Sequence, residues 1–275
     1  MARLGIEAIS VFGLPPVDYV NLAADLGCSC ISTGLTAYHY NPHGYAAFSL
    51  LEDPALRREM RAAMQARGVV ISLGEGFTIR PGGDVRGFER DLDVFAELGT
   101  ERINTVSADP DLDRTLDQFA ILAELAAARG IPTTTEFVPG VTIPDLPAAL
   151  RAVRHVGRPD FTLLIDTMHL VRSGAGPADI AALDPGLIGY VQVSDAPVAQ
   201  RFESYFEEAM FERMVPGEGG LGLKEVIAAL PGDRVYSVEV PLRSEAEAGA
   251  GPHERLGKCV EALRRLLVEA GHSID

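Results

Sequence analysis

Short apolar runs alternate with longer amphipathic stretches along the whole chain. The short runs are Leu4–Ile9, Cys28–Ser32, Val69–Leu73, Arg102–Val106, Ile131–Glu136, Thr162–Asp166, Ile188–Val193 and Val235–Val240. They are rich in Val, Ile and Thr and mostly lack strict polar alternation, the pattern of strands buried on both faces. Between them the apolar residues recur at helical spacing, as with Leu116, Phe119, Leu122 and Leu125 in the stretch from Leu112 to Arg129. Gly130 and Pro132 end that helix and start the next strand, and the phrases ARGV (66–69) and ARGI (128–131) repeat the punctuation. Strand–helix units of about 30 residues, repeated eight times, predict a parallel sheet closed into one (β/α)8 barrel. An α/β barrel of this kind uses residues 1–275 as a single domain. The competing fold, an open doubly wound sheet, calls for a glycine-rich phosphate loop after an early strand, and neither GEG (74–76) nor RPGGD (80–84) has that form.

Composition narrows the function. The chain is 47% hydrophobic and 23% charged, as expected of a protein with a large core. Its formal charge of −15 opposes the phosphate neutralisation that nucleic-acid binding needs. The start, MARLGIEAIS, lacks a long apolar segment after its charge, and no apolar run reaches about 18 residues, so neither a secretory leader nor a membrane span is expected. Three cysteines, Cys28, Cys30 and Cys259, are few and odd in number, which suits a reducing, cytoplasmic setting. Cys28 and Cys30 read as core thiols rather than a metal or redox pair.

In such a barrel the chemistry sits beyond the C-terminal strand ends. Those ends carry Glu136 (fifth), Asp166 (sixth), Gln192 (seventh) and Glu239 (eighth), separated by 30, 26 and 47 residues. Alone, an Asp after a strand is a turn residue. Glu136 and Glu239 lie in apolar, β-prone contexts, TTTEFV and YSVEVP, where an unpaired carboxylate is costly. Three carboxylates and an amide converging on one point call for a positive partner, and a divalent cation is the simplest. Oxygen-only ligation favours Mn²⁺ or Mg²⁺, with Co²⁺ and Zn²⁺ left open.

The phrases TEF (135–137), IDTMH (165–169), VQVSDA (191–196), PGEG (216–219) and SVEVP (237–241) resemble the sugar phosphate isomerase/epimerase group of xylose-isomerase-like barrels, which includes ketohexose 3-epimerases. The resemblance implies metal ligation by Glu136, Asp166 and Glu239, with both glutamates moving protons. It implies substrate contacts from His169 and from Arg213, just before the PGEG phrase. The seventh-strand ligand of that group is usually histidine. Gln192 in its place resembles instead the related 3-dehydroshikimate dehydratases.

Two reactions follow. The first is isomerisation or epimerisation of a small polyhydroxy carbonyl compound (sugar, sugar acid or cyclitol), with Glu136 and Glu239 as the acid–base pair and the cation stabilising an enediolate. The second is a lyase reaction: the same proton abstraction followed by loss of a β-hydroxyl from a hydroxylated cyclic acid. A non-catalytic binding barrel is a third reading, against which all four ligand positions hold competent oxygens. The DNA-repair endonuclease branch of this fold needs more strand-end histidines than six in all allow, and a positive surface.

Other candidates are His39 in TAYHYNPHGY (36–45), with His43 and its tyrosines, Glu75 after the third strand, Asn104 and Ser107 at the fourth, and Arg243 as an anchor for an anionic substrate. His155, His253 and His272 read as surface residues. The excursion between Ala196 and Gly222 mixes aromatics with acids and reads either as a helix packed on the barrel or a partner subunit, or as a lid presenting Arg213. The expected partner is a small-molecule substrate, with a homo-oligomer open.

Overall fold

The apolar runs form parallel strands β1 (Arg3–Ile6), β2 (Cys30–Thr33), β3 (Val70–Ile79), β4 (Ile103–Ser107), β5 (Thr133–Glu136), β6 (Phe161–Asp166), β7 (Ile188–Val193) and β8 (Val235–Val238). Each pairs with the next, and β8 returns to β1, giving a closed barrel in strand order. The structure is a computed structural model and describes residues 1–274. Among those residues no helix is long and apolar enough to cross a membrane.

The connecting helices end where the sequence punctuates them. The helix Pro54–Arg67 starts under Asp53, whose carboxylate accepts from the Ala55 and Leu56 amides, and stops at Gly68 with φ 67°. The helix Leu112–Ala127 starts at Asp111, and the chain turns at Gly130 with φ 73°. It buries Phe119, Leu122, Ala123 and Ala126 against the sheet, with the Phe119 ring 5.8 Å from that of Phe161 on β6. Burying a side chain such as Leu122 contributes about 2 kcal/mol.

The barrel interior is layered. Cys30, Leu73, Leu164, Tyr190 and Val235 form an apolar plug. Above it, toward the C-terminal strand ends, side chains become polar. Cys28, Cys30 and Cys259 are buried free thiols, although Cys28 precedes β2 and faces the helix layer. His272 departs from the surface reading: it is half-buried, and its Nε2 lies 2.8 Å from the Ile227 carbonyl.

β3 runs six residues beyond the expected end at Leu73. Its register shifts between Gly74 and Phe77, and Gly76 there adopts φ 112°, which only glycine takes without strain. A bulge of this kind re-aims a side chain toward the barrel mouth. Glu75 sits inside it rather than after the strand.

Candidate active site

Strand register sets the heights of the polar groups. Asp166 on β6, Gln192 on β7 and Ser237 on β8 lie at one level. Glu136 on β5 pairs with Leu164, one pleat lower. Glu7 and Glu239 follow the last residues of β1 and β8, and the Glu7 amide donates to the Val238 carbonyl at 2.9 Å. The acids therefore gather at one end of the barrel, around a cavity of about 550 Å³ lined by Glu7, Glu75, Glu136, His169, Arg213 and Glu239.

Asp166 is the hub. Its Oδ1 accepts the His169 amide at 2.8 Å, capping the helix Thr167–Arg172, which explains locally why an acid ends this strand. Its Oδ2 accepts from Arg213 Nη1 at 2.5 Å, and the same nitrogen donates to Ser194 Oγ at 2.9 Å. Arg213 Nη2 reaches Glu239 Oε2 at 2.9 Å, off-line enough to be a charge contact rather than an aligned hydrogen bond. His169 Nε2 lies 3.3 Å from Glu136 Oε1, and its Nδ1 lies 2.6 Å from the Tyr205 hydroxyl. Asn104 Nδ2 donates to Glu136 Oε2 at 2.9 Å.

Electrostatics follow from burial and charge count. Burial pushes Glu7, Glu75, Glu136 and Glu239 all upward, with Glu136 raised to about 8, helped by neighbouring Asp166. For Asp166 burial acts the same way, but Arg213 and His169 overcome it and hold the carboxyl well below its usual range. Burial lowers His169 to about 4, so its ring is neutral near pH 7.

The structure brings together most of the expected residues. Glu75, His39 and Arg213 join Glu136, His169 and Glu239 in the cavity wall, while Asp166 and Gln192 lie buried outside that lining. Arg213 lines the cavity while also pairing with Asp166 and Glu239. His169 is closer to the acids than expected: a ligand atom from each of Glu136, Asp166 and His169 falls within 4.8 Å of the others. Arg243 is not brought into the cavity lining. Its guanidinium pairs with Glu207 at 2.9 Å and lies over the Phe202 and Phe211 rings, outside the cavity lining, because the turn after β8 carries it away. His43 also stays outside, packed on Tyr45.

Two charged lining residues, Glu7 and Arg80, are not legible in the sequence. Glu7 follows LGI as Asp166 follows LLI, and the signal is lost because the apolar Ala8 and Ile9 make Glu7 look like part of a longer strand. Arg80, in the turn after β3, lines the cavity and makes no ion pair among the described residues, while Arg114 donates to its carbonyl at 3.3 Å. Asp195 explains two of the sequence phrases structurally: it accepts from the amides of Ala196, Gly217 and Leu221, and a Cβ at Gly219 would lie 2.2 Å from its Oδ1. The excursion after β7 folds into the helix Tyr205–Phe211, whose Phe206, Ala209 and Met210 face the cavity. Its buried Glu208 is held by Arg172 and Arg201 at 3.3 and 2.9 Å.

The residues present fit a divalent cation. Gln192 Oε1 is a buried acceptor with no hydrogen-bond partner among the described residues, level with Asp166 on the neighbouring strand. Four glutamates in the lining and Asp166 below it face one buried guanidinium, an imbalance that a cation relieves.

Residues 20–266 match the family model described as xylose isomerase-like TIM barrel. A 3-dehydroshikimate dehydratase of Pseudomonas aeruginosa is 30% identical over 155 residues, covering 54% of this chain and 24% of that protein. The chain thus matches only about a quarter of that curated relative's length. The IOLI protein, solved with a bound zinc atom, superposes with a TM-score of 0.79 at 17% identity, covering 97% of this chain and 98% of that one. D-psicose 3-epimerase, solved in the presence of D-fructose, gives 0.72 at 17%, covering 98% and 99%. At those identities the two structures speak for the fold, and the family model for descent: the chain belongs to the xylose isomerase-like TIM barrel family.

Proposed function

We propose that the protein is a divalent-metal-dependent isomerase or epimerase of a small polyhydroxy carbonyl compound, with Glu136, Asp166, Gln192 and Glu239 as the residues that would hold the cation. The observation that carries this reading is the partnerless Gln192 Oε1 beside Asp166, an arrangement that a hydrogen-bonded core does not need. Four oxygen donors favour Mn²⁺ or Mg²⁺, with Zn²⁺ and Co²⁺ left open. When bound, the cation supplies the positive charge that makes a carbon acid beside a carbonyl removable.

The side chains divide the remaining work. Glu136, raised to about 8 in the metal-free site, would be held ionised by a bound cation and so able to take the proton from carbon, and Asn104, donating to its Oε2, orients the carboxylate. Glu239, entering from β8, returns a proton to the same or the neighbouring carbon. Neutral His169, its ring fixed through Nδ1 by Tyr205, presents Nε2 to the reacting hydroxyl. The helix Tyr205–Phe211 excludes water with Phe206 and Met210.

A second reading, dehydration of a hydroxylated cyclic acid, is favoured by Gln192, by Arg80, unpaired among the described residues, as a seat for a substrate carboxylate, and by the dehydratase relative. One screen tests both. Metal-supplemented enzyme is offered ketohexoses, cyclitol ketones and hydroxylated cyclic acids in D₂O. Epimerisation incorporates deuterium without new ultraviolet absorbance, whereas dehydration creates a conjugated product that absorbs. Glu136→Gln should lower kcat by about 10²-fold or more. Chelator-resistant turnover, or full activity in Glu136→Gln, would overturn the proposal.

A further inference from the structure

We infer that Glu7 is a positioning residue that fixes the Gln192 amide with its oxygen toward the cation site; this rests on the metal reading above. A glutamine amide has two ends of nearly the same shape, one donor and one acceptor, and only the oxygen can ligate. On β7 nothing in the backbone chooses between them. Glu7 does: Gln192 Nε2 donates to its Oε2 at 3.0 Å, and a carboxylate accepts from nitrogen but offers nothing to an amide oxygen. The choice leaves Oε1 as the partnerless atom.

Glu7 is itself held. Tyr190 Oη donates to its Oε1 at 2.9 Å and lies 3.0 Å from Ser72 Oγ, and the Glu7 backbone is tied to β8 through Val238. Both Glu7 and Gln192 are 1% exposed, so water cannot substitute for either contact. The pairing also has an electronic consequence. Donation from the amide nitrogen to a carboxylate pushes electron density onto the amide oxygen, which makes a weak neutral ligand stronger. The glutamine on the seventh strand and the glutamate after the first therefore form one device.

The test compares Mn²⁺ binding to the metal-free protein by calorimetry and by electron paramagnetic resonance of the free ion. Glu7→Gln keeps the side-chain volume but lets the facing amide turn either way. Its Mn²⁺ affinity should fall about tenfold to a hundredfold, the usual range for an outer-shell partner, while the metal-free melting temperature stays near that of the parent. The swapped pair Glu7→Gln/Gln192→Glu should recover the affinity, because a carboxylate on β7 can accept from the new amide and still present its second oxygen. The single Gln192→Glu is the reference, because a carboxylate ligand raises affinity by itself and needs no orienting: Glu7→Gln should cost affinity in the parent and none in the Gln192→Glu background, whereas a purely structural Glu7 would cost the same in both. Should Glu7→Gln not fold, Tyr190→Phe, which removes the donor to Oε1, should weaken Mn²⁺ binding in the same direction by less. A Glu7→Gln protein that binds Mn²⁺ as tightly as the parent, or an equal loss of affinity in the Gln192→Glu background, overturns the role of Glu7 alone. A parent that binds no Mn²⁺ stoichiometrically overturns the metal site and this role with it.

Discussion

Two arginines line the cavity, and their surroundings give them different work. Arg213 is buried between Asp166 and Glu239 and holds its neighbours' charges in place. Arg80 is exposed, unpaired among the described residues, and carried on a turn whose carbonyls at Arg80 and Gly83 both accept from Arg114. A fixed backbone with a free guanidinium is suited to hold an incoming carboxylate at the mouth. Arg80→Gln is expected to raise KM for carboxylate-bearing substrates about tenfold, the loss of one charge-assisted hydrogen bond, and to leave kcat near its parent value; steady-state kinetics on an acid and a neutral analogue separate the two effects. Equal KM changes for both analogues would remove Arg80 from the substrate site. The same pair shows what sequence can carry. Glu136, Asp166 and Glu239 are legible because each interrupts or ends an apolar run. Arg80 and Arg243 look alike in sequence, one after β3 and one after β8, and only the path of each turn decides that Arg80 borders the cavity while Arg243 turns away to Glu207.

Among the secondary-structure elements, the barrel's helices are legible because their stops are chemical. Gly68 and Gly130 both adopt positive φ, and a Cβ at either position would meet nothing within 4 Å. Alanine there pays only backbone strain. Gly68→Ala and Gly130→Ala should each cost about 1 kcal/mol, lowering the melting temperature by about 2–4 °C, with kcat unchanged; a loss of activity would mean that these turns reach the site. The excursion after β7 is less legible, since its aromatics and acids fit a lid or an interface equally well. Its attachment shows in Glu208, fully buried and shared by Arg172 and Arg201. Glu208→Ala leaves Arg172 buried without its carboxylate, a defect worth about 3 kcal/mol. The helix Tyr205–Phe211 should loosen, exposing 197–215 to limited proteolysis and raising KM through Phe206 and Met210, while the remaining barrel keeps its far-ultraviolet circular dichroism. Unchanged proteolysis would show that the helix is held by its apolar face instead.

For the whole molecule, charge and burial would make separable contributions to the metal binding proposed above. A net charge of −15 attracts divalent ions to the surface, but exposed carboxylates are screened over about 8 Å at physiological salt. The strand-end acids are buried, and burial raises four of them, so the metal-free barrel carries unfavourable electrostatics at its centre. A cation that binds only the folded state removes that strain and stabilises the fold by about 2.7 kcal/mol at a hundredfold excess over Kd. Mn²⁺ should therefore raise the melting temperature by several degrees, saturate at one equivalent per chain, and do so in 0.15 M and 0.5 M NaCl alike. Chelator should reverse the shift, and Glu136→Gln/Glu239→Gln should abolish it. A shift that grows without saturation and fades with salt would instead locate the ions on the acidic surface, leaving the buried carboxyls to share protons rather than a metal.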